Sequence, residues 1–355
     1  MLRVVGRRSL TFLIVVTIAA AGALAPASPE LVERVYSRGL YPRLQTVVTA
    51  FSSTVPVALL DAAVAGLLIA GVVAVVRRKR TSRRTSGTVT VARAAAWFLL
   101  AAAVLYLWFL LFWGLNYRRV PLERKLAYDS ARVTRTEAFR FGSLAVDGVN
   151  GLAESAPFSP SDVPALAGAF AEVEQALGGT TRTRVAAPKP SLFMWYFRQA
   201  AIDGMTNPFF LEIILNPDLL PFERPFVLAH EWAHLAGYAE ESEANFIAWL
   251  TCVRSAPAAQ YSGWLSAYEQ MSARLGREER QHLSRSLHPR AVADLRAGWE
   301  RHARSSPAVR GAARVGYDTY LRANRVDEGI ASYSAVVRLM LGTTFAPDWT
   351  PELRR

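Results

Sequence analysis

Three long apolar stretches fill the first third of the chain, at residues 10–25, 57–76 and 92–115. A helix needs about 20 apolar residues to cross the hydrocarbon core of a membrane, so the second and third stretches are long enough and the first is marginal. We therefore predict a membrane region over residues 1–115 with three transmembrane helices. The first stretch also has the features of a cleaved signal peptide, because basic residues precede it and small residues end it.

Basic residues are concentrated beside two of these stretches. Nine of them precede the first stretch or follow the second: Arg3, Arg7, Arg8, Arg77, Arg78, Lys79, Arg80, Arg83 and Arg84. Without these nine the net charge falls from +12 to +3, so we expect the lipid bilayer as a partner and no nucleic acid. Since basic flanks stay in the cytoplasm, everything after Leu115 is expected on the other side of the membrane.

After Leu115 the hydropathy falls, and the remaining residues 116–355 have the pattern of a single globular domain. The predicted elements are helices at 134–152 and 163–177, short strands at 182–187 and 209–215, and further helices from Phe222 onward. The pattern therefore predicts a mainly α protein whose second domain contains a small sheet.

The most informative segment for chemistry is His230-Glu231-Trp232-Ala233-His234. In a helix, residues four apart lie on one face, so His230 and His234 can offer two imidazole nitrogens to one metal ion. Glu231 lies beside them, where it can take a proton from a water molecule that the metal activates. This arrangement is what metal-assisted hydrolysis requires, and it predicts a zinc (Zn2+) site.

A catalytic zinc site needs a third protein ligand, and three carboxylates follow the motif closely. Gly237 is placed to end the helix, so a second helix can begin near Glu240 and bring its first residues back to the metal. Glu241 is the first choice, because Asn245 lies one turn later on the same side and can orient the site. Glu243 and Glu240 stay open as alternative ligands.

Three sequence blocks carry a family resemblance: WGLNYRR at 113–119, AHEWAHLAGYAEESEANFIAWLTC at 229–252, and the Tyr-rich residues 317–334. Together they resemble a bacterial membrane family described as domain of unknown function 3810, over nearly the whole chain. The resemblance implies a zincin-like, gluzincin-related α+β domain with an HExxH helix after the membrane helices. The E-x-E-A-N pattern also resembles that of ImmA/IrrE metallopeptidases, which supports Glu241 as the third ligand.

Two further expectations concern the binding of a peptide. Zincin clefts carry an edge strand above the metal, and residues 209–215 precede the motif at a suitable place, although a plain core strand is an equally good interpretation. Tyr317 or Tyr333 can donate a phenol hydrogen bond to a developing oxyanion, although tyrosines more often serve packing.

These features predict a membrane-anchored zinc metallopeptidase-like protein that hydrolyses peptide bonds by metal-activated water, with a protein or peptide as substrate. Its expected location is a bacterial inner membrane, multi-pass, with the C-terminal domain outside the cytoplasm. The alternative is a non-catalytic membrane sensor or scaffold that retains the zincin-like fold. An intact Glu231 favours catalysis, because a structural site gains nothing obvious from an acid beside its ligands.

The charge pattern generates a prediction about topology. An alkaline phosphatase fused after Arg355 should be active, because that enzyme folds only outside the cytoplasm, whereas the same reporter fused between the second and third stretches should be inactive. Activity of a cytoplasmic reporter at the C-terminus, together with an inactive phosphatase there, would contradict the predicted orientation.

Overall fold

The computed structural model describes residues 7–81, 87–329 and 335–354. Within these ranges the chain is mainly helical with one small sheet, as predicted. The first helices are α1 (Arg7–Leu24), α2 (Pro29–Leu31), α3 (Tyr41–Ser52), α4 (Leu59–Thr81) and α5 (Gly87–Phe112), with a π-helical segment over Val32–Leu40. The later helices are α6 (Arg135–Gly151), α7 (Val163–Ala176), α8 (Met194–Ala200), α9 (Arg224–Leu235), α10 (Glu241–Val253), α11 (Pro257–Ser272), α12 (Arg277–Arg285), α13 (Pro289–Ala303), α14 (Pro307–Ala323) and α15 (Val336–Gly342).

Two helices in the described residues are long and apolar enough to cross a membrane, over Leu59–Arg77 in α4 and Arg93–Phe112 in α5. They coincide with the second and third apolar stretches. The first stretch forms α1, which passes the same test only as half of a bent pair, where Leu10–Leu24 and Pro29–Ser52 meet at 111°. These apolar helices indicate that the chain associates with a membrane.

Charged side chains bind the C-terminal end of α1 and the N-terminal end of α4. The Arg118 guanidinium donates to the carbonyl of Gly22 in the last turn of α1, at 2.6 Å. The Glu212 carboxylate accepts from the backbone amides of Leu59 and Leu60, at the start of α4. Each charge has the sign that the helix dipole favours, so both ends are stabilised where they meet the domain.

The sheet has three strands in the order β1-β3-β2, where β1 is Pro188–Lys189, β2 is Gly204–Asn207 and β3 is Glu212–Leu215. The β1 strand runs parallel to β3, and β2 runs antiparallel to it with Met205 opposite Ile214. Among the described residues, β2 therefore forms a free edge of the sheet beside α9.

The strand predictions were only partly right. No strand occurs at residues 182–187, because ladder pairing begins one residue later, at Pro188. The segment 209–215 is a strand only in its second half, since Leu211 adopts φ 48° and the Asn207 side chain accepts from the amide of Phe209 to form a turn. It is also the central strand, so residues 209–215 are not the edge that was expected above the metal. The actual edge, β2, was not predicted.

The segment between the first two apolar stretches packs into the globular part of the chain. The Tyr41 hydroxyl donates to the carbonyl of Leu235 at 2.8 Å, and the Thr49 hydroxyl donates to the carbonyl of Leu211 at 2.9 Å. Gln45 bonds both backbone groups of Arg184. All three side chains are buried, so α3 forms one wall of the domain and carries its polar groups to carbonyls that would otherwise lack a partner.

A buried ion pair joins the sheet to the start of α4. The Lys189 ammonium lies 2.9 Å from the Glu212 carboxylate, whose side chain is fully buried, and also donates to the carbonyl of Ser52. Burial alone would raise the pKa of Glu212, but Lys189 and the amide donors outweigh it and lower that pKa. Glu212 is therefore a charged group inside the protein whose partners must all stay in place.

Lys189→Met is expected to destabilise the protein by about 3–5 kcal/mol, because it leaves the Glu212 charge buried without its cation. The matched control is Arg198→Met, which breaks an ion pair with Asp218 that is almost half exposed and should change the stability little, because solvent screens exposed ion pairs. Thermal unfolding of the full chain in detergent measures both. Equal shifts of the midpoint in the two variants would contradict the importance of the buried pair.

Candidate metal centre

Helix α9 and the turn after it place the motif residues. Pro225 stands in the first turn of α9, where its missing amide hydrogen costs no bond. The helix ends at Leu235, and the chain turns at Gly237, whose φ of 84° is accessible mainly to glycine; Tyr238 donates its amide back to the carbonyl of Ala233. A β-carbon at position 237 would also lie 2.9 Å from the Tyr41 ring. This tight turn lets α10 begin at Glu241 beside the last turn of α9.

His230, His234 and Glu241 converge on one point. The two imidazole Nε2 atoms lie 3.1 Å apart, and Glu241 Oε2 lies 3.2 Å from that of His230 and 3.6 Å from that of His234. Among the described residues, His230, His234 and Glu241 form a group whose donor atoms are close enough together to hold a metal ion. The sequence-predicted residues are therefore brought together as a set.

The donor set fits a zinc ion. Four tetrahedral ligands about 2.0–2.1 Å from zinc lie about 3.3 Å from one another, close to the three separations above. Within the described residues the buried Glu241 Oε2 lacks a hydrogen bond, which leaves it free to bind a cation. The Nδ1 atom of His234 lies 2.8 Å from the carbonyl of Tyr238 and donates to it, so a metal would bind at Nε2 and displace any proton from that nitrogen.

The charges of these groups depend on one another. Burial would lower the pKa of His234, but the Glu241 carboxylate outweighs it and raises this pKa to about 9. Burial would likewise raise the pKa of Glu241, but His234 and His230 hold it well below its usual range. Glu241 is therefore ionised at neutral pH, which is the state that binds a metal cation.

Glu231 is buried, and its carboxylate lies against the β2 strand. Its carboxylate accepts from the hydroxyl of Thr206 at 2.7 Å, and that hydroxyl also lies 2.9 Å from the Glu231 carbonyl. Gly204 stands against the same carboxylate, since a β-carbon there would lie 2.5 Å from Glu231 Oε1. Burial raises the pKa of the Glu231 carboxyl against the opposing pull of the histidines. A carboxyl with a raised pKa is suited to accept and return a proton.

Tyr317, on α14, reaches the same group. Its hydroxyl donates to Oε1 of Glu241, the carboxylate oxygen that does not face the histidines. The tyrosine was predicted as an oxyanion donor, and its contact in this structure is with the candidate ligand instead. A hydrogen bond to a ligand carboxylate fixes which oxygen faces the metal. The other predicted tyrosine, Tyr333, lies outside the described residues. The sequence pattern gave no sign of the Tyr317 contact, or of Thr206 and Gly204 beside Glu231.

The remaining predicted residues lie around the cluster. Glu243 points away from the histidines and accepts from the backbone amide of Leu122. Glu240 precedes α10, and burial together with Glu243 and Glu241 raises its pKa to about 8. Asn245 is buried one turn after Glu241, but among the described residues it makes no hydrogen bond to His230, His234 or Glu241. Its role in orienting a ligand stays a prediction.

The family model described as protein of unknown function (DUF3810) matches the chain over residues 36–341. The chain belongs to the DUF3810 family. No curated protein and no solved structure matches it. The DUF3810 match spans part of the second helix of the bent pair, both candidate membrane spans, the sheet and the three residues of the candidate metal centre.

Removal of the Glu241 charge is expected to weaken zinc binding far more than removal of the Glu243 charge two residues away. Glu241→Gln should lower zinc affinity by more than the roughly 10- to 100-fold that the loss of a ligand's hydrogen-bond partner typically costs. Glu243→Gln is the matched control and should bind zinc nearly as the parent does. Competitive titration with a zinc-sensitive dye measures both, and a larger loss in Glu243→Gln would rule out Glu241 as the third ligand.

Proposed function

We propose that this DUF3810 protein is a membrane-anchored, zinc-dependent peptidase with a zincin-like catalytic domain. His230, His234 and Glu241 hold the zinc, and Glu231 is the general base. The observation that carries the proposal is the convergence of two imidazole nitrogens and one carboxylate oxygen within 3.6 Å, with the Glu231 carboxylate one residue from the first ligand. Two histidines and a glutamate are the ligands of many zinc peptidases.

When bound, zinc polarises a substrate carbonyl and acidifies water. The protein's own residues supply the rest of the chemistry. Glu231 takes the proton from the attacking water and returns it to the leaving amine, and its raised pKa suits both steps. Thr206 holds the Glu231 carboxylate in place, and Tyr317 holds that of Glu241.

The free edge of β2 supports a peptide as the substrate. This strand lies along α9, and one of its residues, Thr206, contacts Glu231 directly. An extended peptide that pairs with such an edge gains backbone hydrogen bonds without any demand on its side chains. Its carbonyl groups would then run past the general base, which is the arrangement that peptide hydrolysis requires.

The burial of the centre favours a second candidate, a non-catalytic sensor or scaffold. Glu231, His234 and Glu241 are exposed by only 4%, 7% and 1%, and a site so buried leaves a substrate little access. The two functions differ in their need for Glu231, because only catalysis requires a carboxylate that does not bind the metal.

Glu231→Gln should keep one zinc per chain and lose about 10²- to 10⁴-fold in the rate of peptide cleavage, since the amide cannot act as a base. His230→Ala should lose both the metal and the activity. Glu172→Gln, on an exposed part of α7, is the control and should change neither. Metal analysis and a peptide-library cleavage assay of the full chain in detergent measure the outcome. A Glu231→Gln variant that cleaves as fast as the parent would eliminate the proposed mechanism, and a zinc-loaded parent that cleaves nothing would favour the sensor.

A further inference from the structure

Three large apolar or aromatic side chains are exposed at the start of α8 and just before it. Leu192 is 84% exposed, Trp195 is 67% exposed and Tyr196 is 40% exposed, all within five residues. We call these three residues the α8 patch. Phe197, next in sequence, turns the other way and is buried. The segment therefore has one face toward the protein and one apolar, aromatic face toward its surroundings.

Hydrogen bonds fix the α8 patch at the level where α4 begins. Asp61, the third residue of α4, accepts from the Ser191 hydroxyl at 2.8 Å and from the Leu192 amide at 2.6 Å. The amide of Ala58 donates to the carbonyl of Pro190, so the contact extends beyond one side chain. Since a helix rises about 1.5 Å per residue, Leu192 lies within a few ångströms of the height at which the candidate span starts.

Packing gives the same placement independently of these hydrogen bonds. The inward face of α8 joins a small apolar cluster with the start of α4, in which Phe197 and Ile214 bury Ala58 and Leu60 packs alongside. The other span, in α5, meets the sheet region at a matching level, because Trp108 in its last turns donates to the carbonyl of Phe209. The α8 segment is therefore clamped against the membrane-domain junction.

We propose that the α8 patch inserts into the interfacial layer of the same bilayer that α4 crosses. Tryptophan and tyrosine concentrate at this depth in membrane proteins, where the ring is in an apolar layer and the polar edge meets water. A leucine beside them adds apolar area that has no other cover. The proposal rests on the membrane anchoring by α4 and α5 proposed above and is independent of the zinc chemistry.

This insertion has a consequence for the candidate site. The β2 edge begins at Gly204, four residues after α8 ends at Ala200. Ser306 immediately precedes α14, the helix that carries Tyr317, and its amide donates to the Gln199 carbonyl in α8. Anchoring α8 in the interface therefore holds the β2 edge next to the membrane surface. There the edge can reach the part of a substrate that lies nearest the bilayer.

Spin labels report the environment of the α8 patch directly. The chain's single cysteine, Cys252, is fully buried, and burial raises the pKa of its thiol, so an introduced surface cysteine is labelled selectively. Nitroxides are placed at Leu192→Cys and, in a second variant, at Trp195→Cys. Leu68→Cys, exposed in the middle of α4, is the lipid reference. The water reference is Leu144→Cys. This residue is exposed on α6, a helix that packs against α11, α12 and α15.

The full chain is reconstituted in liposomes of phosphatidylcholine and phosphatidylglycerol, and collision of each label with oxygen is compared with collision with a water-soluble nickel chelate. The oxygen-to-nickel ratio at positions 192 and 195 should exceed that at 144 several-fold and lie between those at 144 and 68. Ratios at both positions equal to that at 144 would overturn the insertion. Shielding from both reagents would also overturn it, because a second copy of the chain would then cover the patch. A water-like ratio at 68 would instead overturn the membrane anchoring itself.

Discussion

The C-terminal end of α9 is the point on which the candidate site depends. The last carbonyls of any helix lack partners within the helix and must find donors elsewhere. Here three of the donors come from the N-terminal third of the chain. The Trp113 indole donates to the carbonyl of His234, the Tyr41 hydroxyl to that of Leu235, and the Arg119 guanidinium to that of Gly237. The residues that flank the candidate membrane helices therefore fix the helix end that carries a candidate ligand, so the apolar helices and the candidate site are structurally connected.

A second constraint comes from two glutamates of α10 that are two residues apart and both buried. Glu241 turns toward the histidines, whereas Glu243 turns toward the amide of Leu122. Burial raises the pKa of Glu243, with Lys125 and Arg119 opposing it. Those same two cations also bind Glu33, from the π-helical segment. Glu241 and Glu243 thus each have groups nearby that compensate a negative charge. This lets α10, whose first turn is acidic, pack inside the protein.

Local patterns explain which parts of the fold and site were predictable. The four-residue spacing of His230 and His234 acts over a single turn and the glycine at 237 ends the helix, so the sequence alone was enough to group the two histidines with the carboxylates that follow. The choice of Glu241 over Glu240 and Glu243 stayed open, because it depends on how α10 packs. The bonds of Tyr41 and Trp113 join residues 194 and 121 positions apart, and no periodicity encodes them. The edge strand β2 was missed because its sequence, Gly-Met-Thr-Asn, has a single β-branched residue and contains glycine and asparagine, which are depleted in strands.

The composition of β2 follows from its position beside Glu231 rather than from strand propensity. A β-carbon at position 204 would lie 2.5 Å from the Glu231 carboxylate, so glycine is required there if that carboxylate is to keep its place. Thr206 then supplies the hydroxyl that holds it. Neither feature touches His230, His234 or Glu241, and a site that only bound metal for stability would need neither. A strand whose composition lowers its β-propensity in order to position an acid beside the candidate ligands is what the proposed catalysis would require, whereas a structural metal site would not require it.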